Sequence, residues 1–213
     1  MGFSALSAQA LSAPPYLVAF LVVLITAWAS DRSRTRSTYL IAHALISAFA
    51  YLAIAATGYF HAHISPSVHT FIRYVCVYPA TAGFFSAITL IITWAMDNRI
   101  EKEGKGASIA ILNIIGQCGP LLGTRLYPET DGPWYIRGMA TCSFFMVLVA
   151  FLAICLRVIL QRANRRATNV MYQAVNRTGR PQHGDEQDGL MGDDDWRENL
   201  EHRSSDRGLV YIT

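Results

Sequence analysis

Residues 138–160 read GMATCSFFMVLVAFLAICLRVIL, and positions 144–156 within this stretch show no polar face. A helix that crosses a membrane needs about 20 predominantly apolar residues, because the hydrocarbon core is about 30 Å thick and each residue advances about 1.5 Å. A helix in the core of a soluble protein would be polar on one side, and a strand would be several-fold shorter. The stretch therefore predicts a membrane-spanning helix.

Similar apolar stretches recur along the chain, separated by short polar connectors. Of the 213 residues, 52% are hydrophobic and only 15% are charged, whereas a soluble domain carries about 25% charged residues. The formal net charge of +3 is too small for a nucleic-acid binder that relies on bulk charge. We therefore predict an all-α membrane protein whose transmembrane domain covers residues 1–166, with five spans at about 11–29, 39–60, 74–96, 107–124 and 138–160.

Basic residues lie mostly in alternate connectors. Ten of them follow the first, third and fifth spans, whereas the other connectors hold only Arg73, Arg125 and Arg137. Since basic loops stay in the cytoplasm, the C-terminus is expected to be cytoplasmic and the N-terminus outside. Residues 167–213 mix charges of both signs with little apolar surface, so we expect a disordered cytoplasmic tail. An odd number of spans without a signal sequence leads us to expect that an N-terminal part of a longer ancestral chain is missing.

The fourth span combines amide side chains with residues that bend or thin a helix. Asn113 and Gln117 are four positions apart, so they lie on one helix face. Amides at membrane depth need partners or a wet cavity, and this face therefore either lines a solute path or joins helices by hydrogen bonds. The glycines and the proline of this span predict that its helix bends and packs closely against another helix. These residues are Gly116, Gly119, Gly123 and Pro120.

Other polar residues are weaker candidates. Tyr78, Thr89 and Thr93 in the third span either face a solute or serve local packing, since threonine hydroxyls commonly bond to the carbonyl one turn back. The outer arginines either anchor spans at the interface or attract anions. The sequence shows no catalytic set and indicates no cofactor, so we expect no enzyme. The second connector holds a cluster of three histidines, His61, His63 and His69. For this cluster we favour solvated loop histidines over a metal site.

Several motifs resemble the C-terminal half of fungal permeases of the anion:cation symporter group, within the major facilitator superfamily. They are Leu11–Tyr16 (LSAPPY), Gly83–Ser86 (GFFS), Leu112–Pro120 (LNIIGQCGP) and Arg125–Pro128 (RLYP), and the loop Ser30–Ser37 (SDRSRTRS) resembles the short basic loop between paired helices in the superfamily as a whole. The resemblance covers about residues 1–166 and equates the five spans with helices eight to twelve of a twelve-helix fold. It implies that Asp31, Arg32 and Arg36 form a cytoplasmic latch. The family pattern has glycines where this chain has Ala27 and Arg34.

The resemblance implies secondary transport of a small organic anion or nitrogenous metabolite with protons, in the plasma membrane. Such transporters rock two halves around a central site, so this chain would need a complementary half. The alternatives are a non-transporting membrane protein that pairs with a full-length permease, and a fragment without function. The expected partners are thus the lipid bilayer, an anionic solute and a permease, with no nucleic acid, metal or cofactor.

Overall fold

A computed structural model describes residues 5–63, 65–98, 102–132 and 134–178, which form helices joined by short connectors and contain no strand. Two single 3-10 turns, His61–His63 and Glu129–Asp131, lie in connectors at the same end of the molecule. The helices are α1 (Ala5–Ser33), α2 (Arg36–Tyr59), α3 (Pro66–Asp97), α4 (Lys102–Gly116), α5 (Cys118–Leu126) and α6 (Ile136–Thr178).

Five segments of the described residues are long and apolar enough to cross a membrane, which confirms the predicted fold class. They are Gln9–Ser33, Arg36–Tyr59, Pro66–Asp97, Gly106–Leu126 and Ile136–Gln173, the fourth of which contains α4 and α5. Large apolar side chains point away from the bundle, and Ile25 and Phe144 are 65% and 64% exposed. In water so much exposed apolar surface would be unfavourable, whereas in lipid it needs no protein cover. The chain is an integral, multi-pass membrane protein.

Helix α2 is the centre of the bundle and packs against both α3 and α6, while α1 packs mainly against α3. Small residues permit close contact between α2 and α3: a Cβ at Gly83 would lie only 2.6 Å from the His43 carbonyl oxygen. Two buried serine hydroxyls join the helices. Ser47 Oγ donates to Ala80 O at 2.9 Å, and Ser143 Oγ donates to Ala48 O at 2.8 Å. Such small-residue contacts with interhelical hydrogen bonds are typical of helix packing in membranes.

Helices α4 and α5 lie at the edge of this bundle, with α4 touching α3 and α5 touching α6. Gln117 separates α4 from α5 and lies three residues before Pro120. Proline has no backbone N–H, so Pro120 cannot donate the regular helical hydrogen bond to the Gly116 carbonyl. The expected close approach of a neighbouring helix is not seen among the described residues. A Cβ at Gly116, Gly119 or Gly123 would meet nothing within 4 Å.

The ends of two helices differ from the prediction. Helix α3 begins at Pro66, preceded by Ser65 as N-cap, because proline suits the first helical turn. Helix α6 continues to Thr178, so residues 167–178 are helical instead of disordered. Extending a helix costs little once it has formed, and this segment has neither glycine nor proline before Gly179 and Pro181. The rest of the predicted tail, 179–213, lies outside the described residues.

Candidate functional site

A small cavity with polar and apolar lining lies between α1 and α3, near the end of the bundle that carries the arginine-rich connector between α1 and α2. We call this end the basic end. The cavity has a volume of about 60 Å³, far below the roughly 300–1,000 Å³ of sites that bind small molecules. It has room for a few water molecules. Its lining combines Val23, Ala27 and Leu90 with the polar residues Thr26, Asp31, Arg36, Ser86, Thr89 and Thr93.

Arg36 joins three helices at the mouth of this cavity. Its Nη1 lies 2.7 Å from Asp31 Oδ1 near the end of α1, and its Nε forms an ion pair with Asp97 Oδ2 at the end of α3. The Arg36 side chain is 15% exposed and that of Asp97 is 24% exposed, whereas Asp31 is 60% exposed. Because the charges of Arg36 and Asp97 are partly shielded from water, their attraction is stronger than that of a surface pair. The three residues, which we call the Arg36 network, join the adjacent ends of α1, α2 and α3 at the basic end.

The network differs from the predicted latch in one member. Arg32 is exposed and forms no ion pair with a residue that the structure describes, so its place in the latch stays a prediction. The third member of the network is Asp97, which the sequence analysis did not select. The sequence did offer a signal for Asp97. It is the carboxylate that directly follows an apolar span, and a charge at the membrane boundary is costly without a partner.

The connector between α1 and α2 is strained at Arg34. Its φ of 51° is in the left-handed region, which costs a residue with a side chain roughly 1–2 kcal/mol. Arg34 stands where the family pattern has a glycine, and only glycine adopts this conformation freely. The tight turn allows α2 to begin at Arg36 and so positions that side chain toward both carboxylates.

We expect Arg34→Gly to raise the free energy of unfolding by about 0.5–1 kcal/mol, because glycine removes the strain but orders with a larger entropic cost. Unfolding of the purified protein by sodium dodecyl sulfate, followed by circular dichroism, measures the difference. Arg34→Ala is the matched control, because it removes the same charge but keeps the Cβ. Equal stabilisation by alanine would show that charge, not backbone strain, is responsible.

Two of the three threonines of the cavity, Thr89 and Thr93, already use their hydroxyl protons. Thr89 Oγ1 donates to Phe85 O at 3.0 Å, and Thr93 Oγ1 donates to Thr89 O at 2.5 Å. They therefore present only acceptor lone pairs to the cavity. Ser86 Oγ is buried and has no hydrogen-bond partner. The cavity can thus accept hydrogen bonds from a solute or water molecule at Thr89 and Thr93, and can donate one at Ser86.

The remaining predicted pathway residues lie elsewhere. The Tyr78 hydroxyl donates to the Tyr74 hydroxyl at 3.1 Å, which donates to Leu11 O at 3.2 Å near the other end of α1. Thr89 is about 16 Å further along α3, at about 1.5 Å per residue. Asn113 and Gln117 are exposed on the edge formed by α4 and α5. The structure therefore brings together only Thr89 and Thr93 with Asp31 and Arg36.

Two of the three histidines predicted to lie in the second connector, His61 and His69, bond to backbone carbonyls. His69 lies in α3, not in the connector, and is 2% exposed. His61 Nδ1 bonds to Gly58 O at 2.9 Å, and His69 Nε2 bonds to Thr57 O at 3.0 Å. Within the described ranges, no three histidine, cysteine or acidic residues are grouped so that they could hold a metal ion.

Known proteins that resemble this chain are fungal membrane transporters. An MFS transporter, prlL, of a fungal species (strain NRRL 50135) is 29% identical over 165 residues, which cover 72% of this chain and 30% of the relative. The MFS-type transporter cnsO of Penicillium expansum is 22% identical, over 91% of this chain and 36% of the relative. The high-affinity nicotinic acid transporter of Saccharomyces cerevisiae is 24% identical, over 85% of this chain and 32% of the relative.

The chain spans about a third of the length of these relatives. No protein-family model matches it, and no solved structure matches it. The relatives are transporters rather than enzymes, and their similarity extends over most of the apolar helices described above. Together, the five apolar helices and these relatives support a place for the chain in the major facilitator superfamily of membrane transporters.

Proposed function

We propose that this chain forms part of a secondary transporter that carries a small organic anion or nitrogenous metabolite together with protons. The observation that supports this proposal best is the Arg36 network, which borders a small cavity between α1 and α3. A bridge between three helix ends has two natural states, formed and broken. It therefore suits a protein that alternates between closed and open access.

The basic end is the cytoplasmic end in this proposal. Exposed arginines extend along α6 beyond its apolar part, at Arg162, Arg165 and Arg166, and positive residues are retained on the cytoplasmic side. The C-terminus then lies in the cytoplasm, and the host membrane is the plasma membrane. Since the cavity is too small for a metabolite, we interpret this conformation as one that is closed toward the cytoplasm.

A complementary set of helices completes the transport path. Asn113 and Gln117 expose amide groups on α4 and α5, and a side chain at Gly116, Gly119 or Gly123 would meet nothing within 4 Å. Polar groups in this position are unfavourable in lipid, so a second helix set that covers them would be stabilising. The same exposed face supports the alternative function, in which the chain pairs with a full-length permease without transporting a solute itself.

A chimera tests the transport proposal. This chain would replace the matching third of the nicotinic acid transporter of Saccharomyces cerevisiae, in cells that lack that transporter. We expect uptake of labelled nicotinate that a protonophore abolishes. A chimera that reaches the membrane but shows no uptake would contradict the proposal, and co-purification of the unmodified chain with an intact permease would then favour the alternative.

In that chimera, we expect Gln117→Leu to lower the initial uptake rate at least fivefold without lowering membrane abundance, because the amide faces the solute path. Loss of one hydrogen bond to a charged group weakens binding by about 1.5 kcal/mol or more. The control is Gln173→Leu, which makes the same change at an exposed position near the C-terminal end of α6. Unchanged uptake with Gln117→Leu would exclude this role for the amide.

A further inference from the structure

Arg73 is a buried cation at the end of the bundle opposite the basic end. It lies in α3 and is 5% exposed. Its Nη2 donates to Trp134 O at 2.9 Å, whereas its Nε and Nη1 are shielded from solvent and have no hydrogen-bond partner. No carboxylate among the described residues pairs with it. Two roles were expected for Arg73, an interfacial anchor and a group that attracts anions. Its surroundings allow us to choose between them.

An interfacial anchor keeps its charge in water, as two other arginines at this end do. Arg125 is exposed, and the Arg137 side chain is 87% exposed. Arg73 is enclosed instead, and removing an ionised group from water costs several kcal/mol unless a counter-charge or hydrogen bonds compensate. One carbonyl oxygen satisfies only one of its nitrogen atoms. The Trp134 ring, whose centre lies 5.5 Å from Arg73 Cζ, adds a cation–π contact, but it offers no hydrogen-bond acceptor to Nε and Nη1.

The groups around Arg73 form a compact set that we call the Arg73 cluster: Gly58, His69, Arg73 and Trp134. The Arg73 Cζ lies 5.5 Å from the centre of the Trp134 ring, which also meets the His69 ring edge-on at 4.4 Å. A Cβ at Gly58 would lie 3.5 Å from Arg73 Nη1. The same Cβ would lie closer still, at 3.0 Å, to Ile136 Cγ1, so glycine at position 58 allows both Ile136 and Arg73 to approach α2.

We infer that Arg73 is the charged group of a binding site for a small carboxylate, closed in this conformation by Trp134. Guanidinium N–H groups bind carboxylates well because both the charge and the donor geometry match. Trp134 lies in the connector between α5 and α6, outside both helices, so movement of this connector uncovers the nitrogen atoms. If Arg73 only fixed the connector in place, its single hydrogen bond to Trp134 O would be enough, and no buried charge would be needed.

Calorimetric titration of the full chain in phosphatidylcholine nanodiscs tests the site with benzoate and with benzamide, which has nearly the same shape but no charge. We expect saturable binding of benzoate and none of benzamide. Arg73→Gln should weaken benzoate binding at least tenfold, and Arg73→Lys should weaken it less because it keeps the charge. Arg137→Gln, the same change at an exposed position, should leave the affinity unchanged.

Two further variants keep the inference testable if Arg73→Gln fails to fold. Gly58→Ala places a methyl group 3.5 Å from Nη1 and 3.0 Å from Ile136 Cγ1 and should weaken benzoate binding, whereas Trp134→Ala removes the cover and should keep or raise the benzoate affinity. Equal binding of benzoate and benzamide, or benzoate binding that none of the Arg73 and Gly58 variants changes, would overturn the site and leave Arg73 as a structural clamp.

The inference adds to the proposed function an anion site at the opposite end from the cavity, and the two can fail separately. Benzoate binding is measured without transport, so a chimera that takes up nicotinate while the full chain ignores benzoate would overturn only the Arg73 site. Arginine-dependent benzoate binding by a chain whose chimera takes up nothing would overturn only the transport proposal.

Discussion

Gly83→Val is expected to destabilise the helix bundle by about 3 kcal/mol, at the upper end of the range for overpacked interiors. A Cβ at position 83 would lie 2.6 Å from the His43 carbonyl oxygen and 2.8 Å from Ser47 Cβ. The first of these atoms belongs to the backbone of α2 and cannot rotate away, so α2 and α3 would have to separate. Separation would also break the hydrogen bond from Ser47 Oγ to Ala80 O. Unfolding in sodium dodecyl sulfate measures the loss.

Gly123→Val is the matched control for this prediction. It makes the same change in α5, where an added Cβ would meet nothing within 4 Å, and such open positions usually change stability by less than about 0.5 kcal/mol. Comparable losses at both positions would mean that valine acts through the helix backbone, and the close contact of α2 with α3 would be refuted.

The sequence was sufficient to predict five long apolar helices, because length and composition alone decide whether a helix is suited to cross a membrane. It could not predict which helices touch. Gly83 and Gly123 are similar in sequence terms, each within an apolar span, yet only Gly83 lies against another backbone. A nearly uniform apolar surface gives no periodic pattern to indicate the buried face, so packing has to be observed.

The sequence predicted only those residues of the candidate site that lie close together along the chain. Asp31 and Arg36 are close in sequence, and a basic loop motif points to them. Asp97 reaches the same place only because α3 returns to the basic end beside α2. Burial of Arg73 was equally hidden, since an arginine near the end of a span can lie in water or in protein. Its enclosure depends on Trp134, which is distant in sequence and packs over it.

Arg36→Gln is expected to open the basic end of the molecule. The substitution removes the charge that joins Asp31 to Asp97, and a hydrogen bond to a charged partner contributes about 1.5 kcal/mol or more. The open state should therefore become about tenfold more populated, since 1.4 kcal/mol corresponds to a factor of ten. A cysteine at position 93, which lines the cavity, reports opening through its rate of reaction with a membrane-impermeant maleimide, after replacement of Cys76, Cys118, Cys142 and Cys155.

Arg32→Gln and Arg36→Lys distinguish the network from a general effect of positive charge. Arg32 carries the same charge on the same connector but is exposed and outside the network, so its loss should leave the labelling rate within about twofold, as for other weak surface charges. Lysine at position 36 keeps the charge without the planar donor arrangement and should give an intermediate rate. If Arg32→Gln accelerates labelling as much as Arg36→Gln does, bulk charge controls access and the Arg36 network does not hold the cavity closed.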